Sequence, residues 1–326
     1  MMRQVGLSQL GGPDVLELRD VAIPRPKPGE ILIRMAACGL NFIDIYQRTG
    51  LYPLPLPTGL GLEGAGVVED VGDDVTRFQP GDKVAFCLGP VGAYADYACV
   101  PEGKAVHVPD GIDLETAAAI LLKGLTAEFL IQRLRPLKSG DTVLFHAAAG
   151  GVGLIACDWL AHLGVRVIGT VGSDDKAALA REHGCAETIL YRTEPLVERV
   201  KDLTQGRGCV IVYDSVGADT LSASLDCAAR RGLVVSFGNA SGPPAAISPL
   251  ELSRRGSLFL TRPTLFDYVA TTAELDQAAE DLFSHVISGA IRPVIGARYS
   301  LEQAAEAHRA LETRQTVGAT ILLPGL

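Results

Sequence analysis

The chain has 326 residues, 48% hydrophobic and 21% charged, with a formal net charge of -9. That length exceeds one comfortable core and suits two domains. The acidic balance, without any run of five lysines or arginines, argues against nucleic acid as a partner. No apolar run reaches the ~18 residues of a membrane helix, so a membrane role is not expected.

Residues 1–10 lack the basic start, apolar stretch and small-residue cleavage site of a secretory signal, so the expectation is a cytoplasmic protein. Up to about residue 120 the pattern is of short strands at 30–36, 64–71, 83–86 and 94–100. Proline- and glycine-rich turns at 25–29 and 79–82 separate them, and one helix is expected at 42–48. This half is predicted to be antiparallel and partly barrel-like. A helical stretch over 114–133 then leads into alternating strands and helices. Strands are expected at 142–146, 166–170, 187–190, 210–214, 233–237 and 257–261. The intervening helices are expected at 151–163, 174–182, 194–203 and 220–228. Such alternation implies a parallel sheet covered on both faces. Helices at 272–288 and 301–312 and a strand at 319–322 complete the chain, and this tail is expected to pack back onto the first domain. The seven cysteines are scattered. None has the spacing of a zinc knuckle or redox dithiol, and reduced, buried thiols are expected.

The sharpest local signal is at 143–153, where an apolar strand runs through Ala147, Ala148, Ala149, Gly150 and Gly151 into a helix. Ala148, Gly150 and Gly153 occupy the three glycine positions of a dinucleotide fingerprint, which needs a tight turn and close backbone approach to a pyrophosphate. The helix start supplies free N–H groups for the phosphates. An NAD site usually ends the next strand with a carboxylate for the ribose 2'-hydroxyl. Here that strand ends in Thr170, Val171, Gly172 and Ser173, with Lys176 one helical turn on. Asp174 and Asp175 fall where they would cap the following helix. The reading favours NADPH.

Three segments carry a family likeness. Ala37 to Tyr46, Gly61 to Gly66 and Leu122 to Ala127 resemble the zinc-ligand segments of the medium-chain dehydrogenases, with Asn41, Leu62 and Lys123 at the ligand positions. Leucine cannot coordinate, and asparagine with a cationic lysine makes no zinc site. With 147–153, 213–217, 236–239 and 261–263, the same segments resemble the zinc-free NADPH quinone oxidoreductases related to zeta-crystallin. The likeness covers nearly the whole chain.

That resemblance implies a GroES-like, partly open β-barrel catalytic domain (1–122 and 264–326) and a Rossmann NADPH-binding domain (123–263), a doubly wound parallel sheet. It implies Ser173, Lys176, Tyr191 and Arg314 around the 2'-phosphate, and Gly150, Gly151, Val152 and Gly153 at the pyrophosphate. Phe237 and Ser241 would hold the nicotinamide end, while Asn41, Tyr46 and Thr126 would line the nicotinamide side. Asn41 and Tyr46 are expected to orient the cofactor and hydrogen-bond the acceptor carbonyl, with Tyr52 bordering the opening. The implied reaction is hydride transfer to a quinone without metal or flavin, in a homodimer. Competing readings are an alkenal or enone C=C reductase, or an NADPH-binding protein with an RNA-binding or structural role. Residue by residue, Asn41 is also a candidate helix cap, Tyr46 a core tyrosine, and Lys123 a partner for Glu63. His146 is expected to be held by backbone hydrogen bonds.

Overall fold

The computed structural model describes residues Met1–Leu326 in two compact units. The first comprises Met1–Leu125, Val269–Ile287 and Pro293–Leu326; the second comprises Thr126–Tyr268 and Ser288–Arg292.

The first unit opens with strands β1 (Met2–Leu7), β2 (Glu17–Val21) and β3 (Glu30–Leu40), then helix α1 (Phe42–Thr49). Strands β4 (Thr58–Gly59), β5 (Glu63–Val71), β6 (Lys83–Phe86), β7 (Tyr97–Pro101) and β8 (Ala105–His107) follow, then α2 (Leu114–Glu128). Strand β3 is the spine, antiparallel to β5 on one side and pairing β7 along its first half. The turns at 25–29 and 79–82 close where Gly29 and Gly81 take positive φ, 77° and 98°, which glycine adopts without steric cost. Helix α1 starts because the Asp44 carboxylate accepts the Asn41 backbone N–H at 2.8 Å. It stops at Gly50, a left-handed cap with φ 84°.

The second unit is a doubly wound sheet. Its elements are β9 (Thr142–Phe145), α3 (Gly151–His162), β10 (Arg166–Val171), α4 (Asp174–Glu182), β11 (Glu187–Leu190) and α5 (Leu196–Thr204). Then come β12 (Cys209–Asp214), α6 (Leu221–Cys227), β13 (Ala228–Ser236), α7 (Pro249–Arg254), β14 (Phe259–Thr261) and α8 (Leu265–Tyr268). The strands are parallel in the order β11-β10-β9-β12-β13-β14. The order reverses beside β9, and at such a point the carboxyl ends of the strands leave a ligand crevice. Segment Ser288–Arg292 joins this unit because Arg292 reaches Asp158 through its backbone N–H, 2.9 Å, and its guanidinium, 2.6 Å.

The chain then returns to the first unit through α9 (Thr272–Ile287), β15 (Ile295–Ser300), α10 (Ala304–Glu312) and β16 (Ala319–Leu323). Strand β16 pairs antiparallel with β3, Thr320 opposite Leu40, so the tail completes the first sheet as expected.

Several elements depart from the sequence expectation. Strands β1, β2, β8 and β15 are short or polar-faced and gave no period-2 signal. The helix expected over 114–133 is α-helical only to Glu128, and Phe129–Arg133 widens to a π turn. Strand β13 begins at Ala228 rather than 233, with an irregularity opposite Cys209 and Ile211 and a positive φ, 60°, at Arg231. All seven cysteines are free thiols, six of them buried. No helix is long and apolar enough to cross a membrane.

Candidate active site

In the first unit, β3 runs directly into α1, which sets Asn41 at the helix start; β5 begins at Glu63, and α2 carries Lys123. These three side chains converge. Glu63 is fully buried. Its Oε2 accepts from Asn41 Nδ2 at 2.8 Å and from Lys123 Nζ at 3.0 Å, and its Oε1 accepts the Leu122 backbone N–H at 2.6 Å. Gly39 makes the cluster possible, because a Cβ there would stand 2.1 Å from Glu63 Oε2 and 2.4 Å from the Ala118 carbonyl. The Asn41 nitrogen also points at the Gly39 carbonyl, 3.4 Å away. Its donor capacity is therefore committed to the protein, which departs from the expectation that Asn41 donates to an acceptor carbonyl. Asn41 and Asp44 cap α1 reciprocally, so the capping reading holds.

Leu62 is buried beside Glu63. No three histidine, cysteine, aspartate or glutamate side chains come together as a ligand set. Lys123 forms the pair with Glu63 that its chemistry allowed. Tyr46, on α1, is buried and meets Tyr52 edge-on, ring centroids 5.2 Å apart, while the Tyr52 backbone N–H donates to the Tyr46 carbonyl at 3.0 Å. The structure thus joins Tyr46 and Tyr52 into one aromatic corner at the end of α1.

Behind α1 lies a buried polar chain. Tyr94 Oη donates to Asp44 Oδ2 at 2.7 Å, and burial pushes the Asp44 carboxyl up to about 7. Arg48, fully buried, reaches the Gly11 carbonyl at 3.1 Å, His308 Nδ1 at 3.0 Å and the Glu312 carboxylate. Burial and then the Arg48 charge hold His308 down at about 3.

In the second unit, the glycine turn follows β9. Gly150 is the N-cap of α3. A Cβ on Gly153 would stand 2.4 Å from the Ala147 carbonyl oxygen, so only hydrogen fits where helix and turn touch. Alanine is tolerated at 148 because Gly169 on β10 leaves room for it; a Cβ at 169 would lie 2.6 Å from that of Ala148. His146 is fixed differently from expectation. Besides its backbone bond to Tyr213, its ring joins the hydroxyls of Thr170 and Ser224, each at 3.0 Å. Ser224 donates to Asp214 at 2.6 Å, and Asp214 accepts the Val216 and Gly217 N–H groups. Burial lowers the His146 pKa, which keeps the ring neutral.

Past β10, Ser173 is the N-cap of α4 and accepts from the Lys176 backbone N–H at 3.5 Å. Tyr191, after β11, brings its hydroxyl oxygen within 3.2 Å of where a Cβ on Gly172 would stand. The Arg192 guanidinium lies 6.0 Å from the Tyr191 ring centroid. Burial lowers the Lys176 pKa and the Arg192 charge adds to this, while Tyr191 opposes it. Hydroxyls and cations thus gather at the end of β10, with Asp174 and Asp175 exposed in the first turn of α4. Arg192 was missed from sequence, although its adjacency to Tyr191 was a signal.

The remaining expected residues are placed as follows. Phe237 packs 6.0 Å from the Phe145 ring, and its N–H donates to the Asp214 carbonyl at 2.8 Å. The Ser241 hydroxyl donates to the Val216 carbonyl, 2.9 Å, and accepts the Asp219 N–H, 3.0 Å, so it ties the loop. Arg262 holds the same loop through the Ser236 and Gly238 carbonyls at 3.0 and 2.9 Å. Thr126 is buried on α2, the first residue of the second unit. Arg314 belongs to the first unit, just after α10, with φ 58°.

Residues 151–284 match the family model described as zinc-binding dehydrogenase, and residues 27–110 match the alcohol dehydrogenase GroES-like domain. The chain is 54% identical to a quinone oxidoreductase of Pseudomonas aeruginosa, over 99% of this chain and all of that one. It is 42% identical to a 2-haloacrylate reductase of a Burkholderia species, over 99% of each. A crystal structure of Escherichia coli quinone oxidoreductase complexed with NADPH superposes with a TM-score of 0.97 at 45% identity, covering 99% of this chain and all of that one.

Proposed function

The chain belongs to the quinone oxidoreductase family of the medium-chain dehydrogenases, and from that premise we propose that it reduces quinones with NADPH by direct hydride transfer. The observation that carries the reading is the corner after β10, where Ser173, Lys176, Tyr191 and Arg192 gather and the strand ends without a carboxylate. Hydroxyls and cations suit a 2'-phosphate, and each charge-assisted hydrogen bond there would contribute about 1.5–3 kcal/mol. The fit extends to the glycine turn, where a side chain on Gly153 has no room. When NADPH is bound, its dihydronicotinamide would supply the hydride.

The chain's own residues have binding and orienting roles. Gly150, Gly151, Val152 and Gly153 would take the pyrophosphate on the start of α3. Thr126 and Phe237 would border the nicotinamide end, with Ser241 shaping the loop. Arg314 is proposed as a further phosphate ligand on the family likeness alone. Tyr46 and Tyr52 form an aromatic corner suited to an aromatic acceptor, and Asn41 anchors the start of the helix that carries Tyr46. Positioning a strongly electrophilic quinone accounts for much of the acceleration, and solvent protonates the product.

A homodimer belongs to the same proposal. Strand β14 is one of the two edges of the parallel sheet, and Phe259 on it is 62% exposed. An unpaired apolar edge is a liability that sheet continuation across a two-fold axis removes. The likeness to 2-haloacrylate reductase supports one second reading, hydride addition to a conjugated C=C bond. Steady-state NADPH oxidation with quinones against open-chain enals separates the two: turnover of enals alone would replace quinone reduction with that reading.

A further inference from the structure

Hydride arrival on a quinone leaves negative charge on a carbonyl oxygen, and the site has to offer that oxygen a donor. The Asn41 amide nitrogen is engaged with Glu63 and the Gly39 carbonyl. Lys123 differs. An ammonium has three N–H donors, and the protein gives Nζ one acceptor, Glu63 Oε2 at 3.0 Å. Its side chain is 7% exposed and that of Glu63 is fully buried. A buried cation with unspent donors is costly to maintain. In such a low-dielectric setting a donor fixed in advance stabilises developing charge more than water does.

We propose that Lys123 is a catalytic residue, its ammonium donating a hydrogen bond to the carbonyl oxygen of the quinone as the hydride arrives. The inference rests on the quinone-reducing reading. The dihydronicotinamide loses a hydride, its C–H bond breaking with both electrons, and becomes the oxidised nicotinamide. The quinone gains the hydride and becomes the hydroquinone monoanion, which takes a proton from solvent. Lys123 keeps its own proton throughout. Glu63 holds the ammonium in place and balances its charge in the resting protein, so the fold tolerates a cation at this depth.

The test separates this role from mere support of Glu63. Lys123→Met alone strands a buried carboxylate, so the decisive protein is the double variant Lys123→Met/Glu63→Gln. It replaces a buried ion pair by a neutral pair of similar size, a change folds often tolerate. Lys123→Gln/Glu63→Gln serves the same purpose should the first fail to fold. Quinone kcat/KM is expected to fall about 10–100-fold in the neutral pair, the worth of one charge-assisted hydrogen bond. The loss is expected to be larger for electron-rich quinones, whose oxyanions are more basic, with the dissociation constant for NADPH changed by less than about twofold. A neutral pair with kcat/KM within about twofold of the parent would overturn the role of Lys123 and leave quinone reduction standing. A parent protein that turns over no quinone would overturn both.

Discussion

Asn41 Nδ2 and Lys123 Nζ meet the same oxygen of Glu63, at 2.8 and 3.0 Å, inside a cluster where the carboxylate has no solvent exposure. Removing one partner of a buried pair costs about 3–5 kcal/mol, because the other charge is left uncompensated. Lys123→Met is therefore expected to lower the urea unfolding free energy by about that amount, and adding Glu63→Gln to recover most of it. A single variant as stable as the parent would show that the Lys123 charge is not what compensates Glu63 in the folded protein.

Gly39→Ala places a methyl 2.1 Å from Glu63 Oε2 and 2.4 Å from the Ala118 carbonyl. Neither neighbour is a flexible side-chain end free to retreat. The expected cost is about 1–3 kcal/mol, read in chemical denaturation. A neutral result would mean that β3 and α2 separate more readily than their packing implies.

The corner after β10 predicts cofactor choice. Lys176→Ala, Arg192→Ala and Tyr191→Phe should each raise the KM for NADPH about 10-fold or more, from the loss of a charge-assisted bond. The KM for NADH should barely move. Variants that weaken both cofactors equally would place the 2'-phosphate elsewhere.

The sequence made the second unit more legible than the first, for a physical reason. Helix α3 and strands β9 to β12 bury continuous apolar faces, which leave a strong periodic signal, and α4 and β11 fall at their expected limits; in the first unit β6 does so too. The short strands β8 and β15 are set by pairing with distant partners, and no local pattern announces that. The glycine turn could be recognised, but the reason Ala148 fits it lies in Gly169, on a strand twenty-one residues away. The pairing of Lys123 with Glu63 is legible in the sequence because their charges are complementary. That both share an oxygen with Asn41 depends on three elements meeting in space.

Two buried groups act on stability with opposite signs of pH. Asp44 has a folded pKa of about 7 against 3.8, so the native state keeps a proton that the unfolded chain releases. Its contribution is most favourable below about 3.8 and is lost as pH rises to about 7. His308 has a folded pKa of about 3 against 6.5, so the unfolded chain takes a proton that the native state refuses. Stability is lost as pH falls from 6.5 towards 3. Asp44→Asn should make the unfolding free energy rise more steeply with pH across the shared window, and His308→Gln should make it fall. Unchanged slopes by urea denaturation would mean that neither group titrates as its burial dictates.

Phe259→Arg introduces a charge at the first residue of edge strand β14, where the side chain is exposed. Light scattering is expected to report a dimer for the parent and a monomer for the variant. A parent already monomeric would remove the proposed interface.

The most direct test mixes NADPH-loaded, flavin-free protein with one equivalent of benzoquinone in a stopped-flow instrument and follows the nicotinamide absorbance through a single turnover. The account predicts that the absorbance decays with formation of one equivalent of hydroquinone, and that added chelator leaves the rate unchanged. Saturable NADPH binding with no decay on addition of any quinone would contradict it.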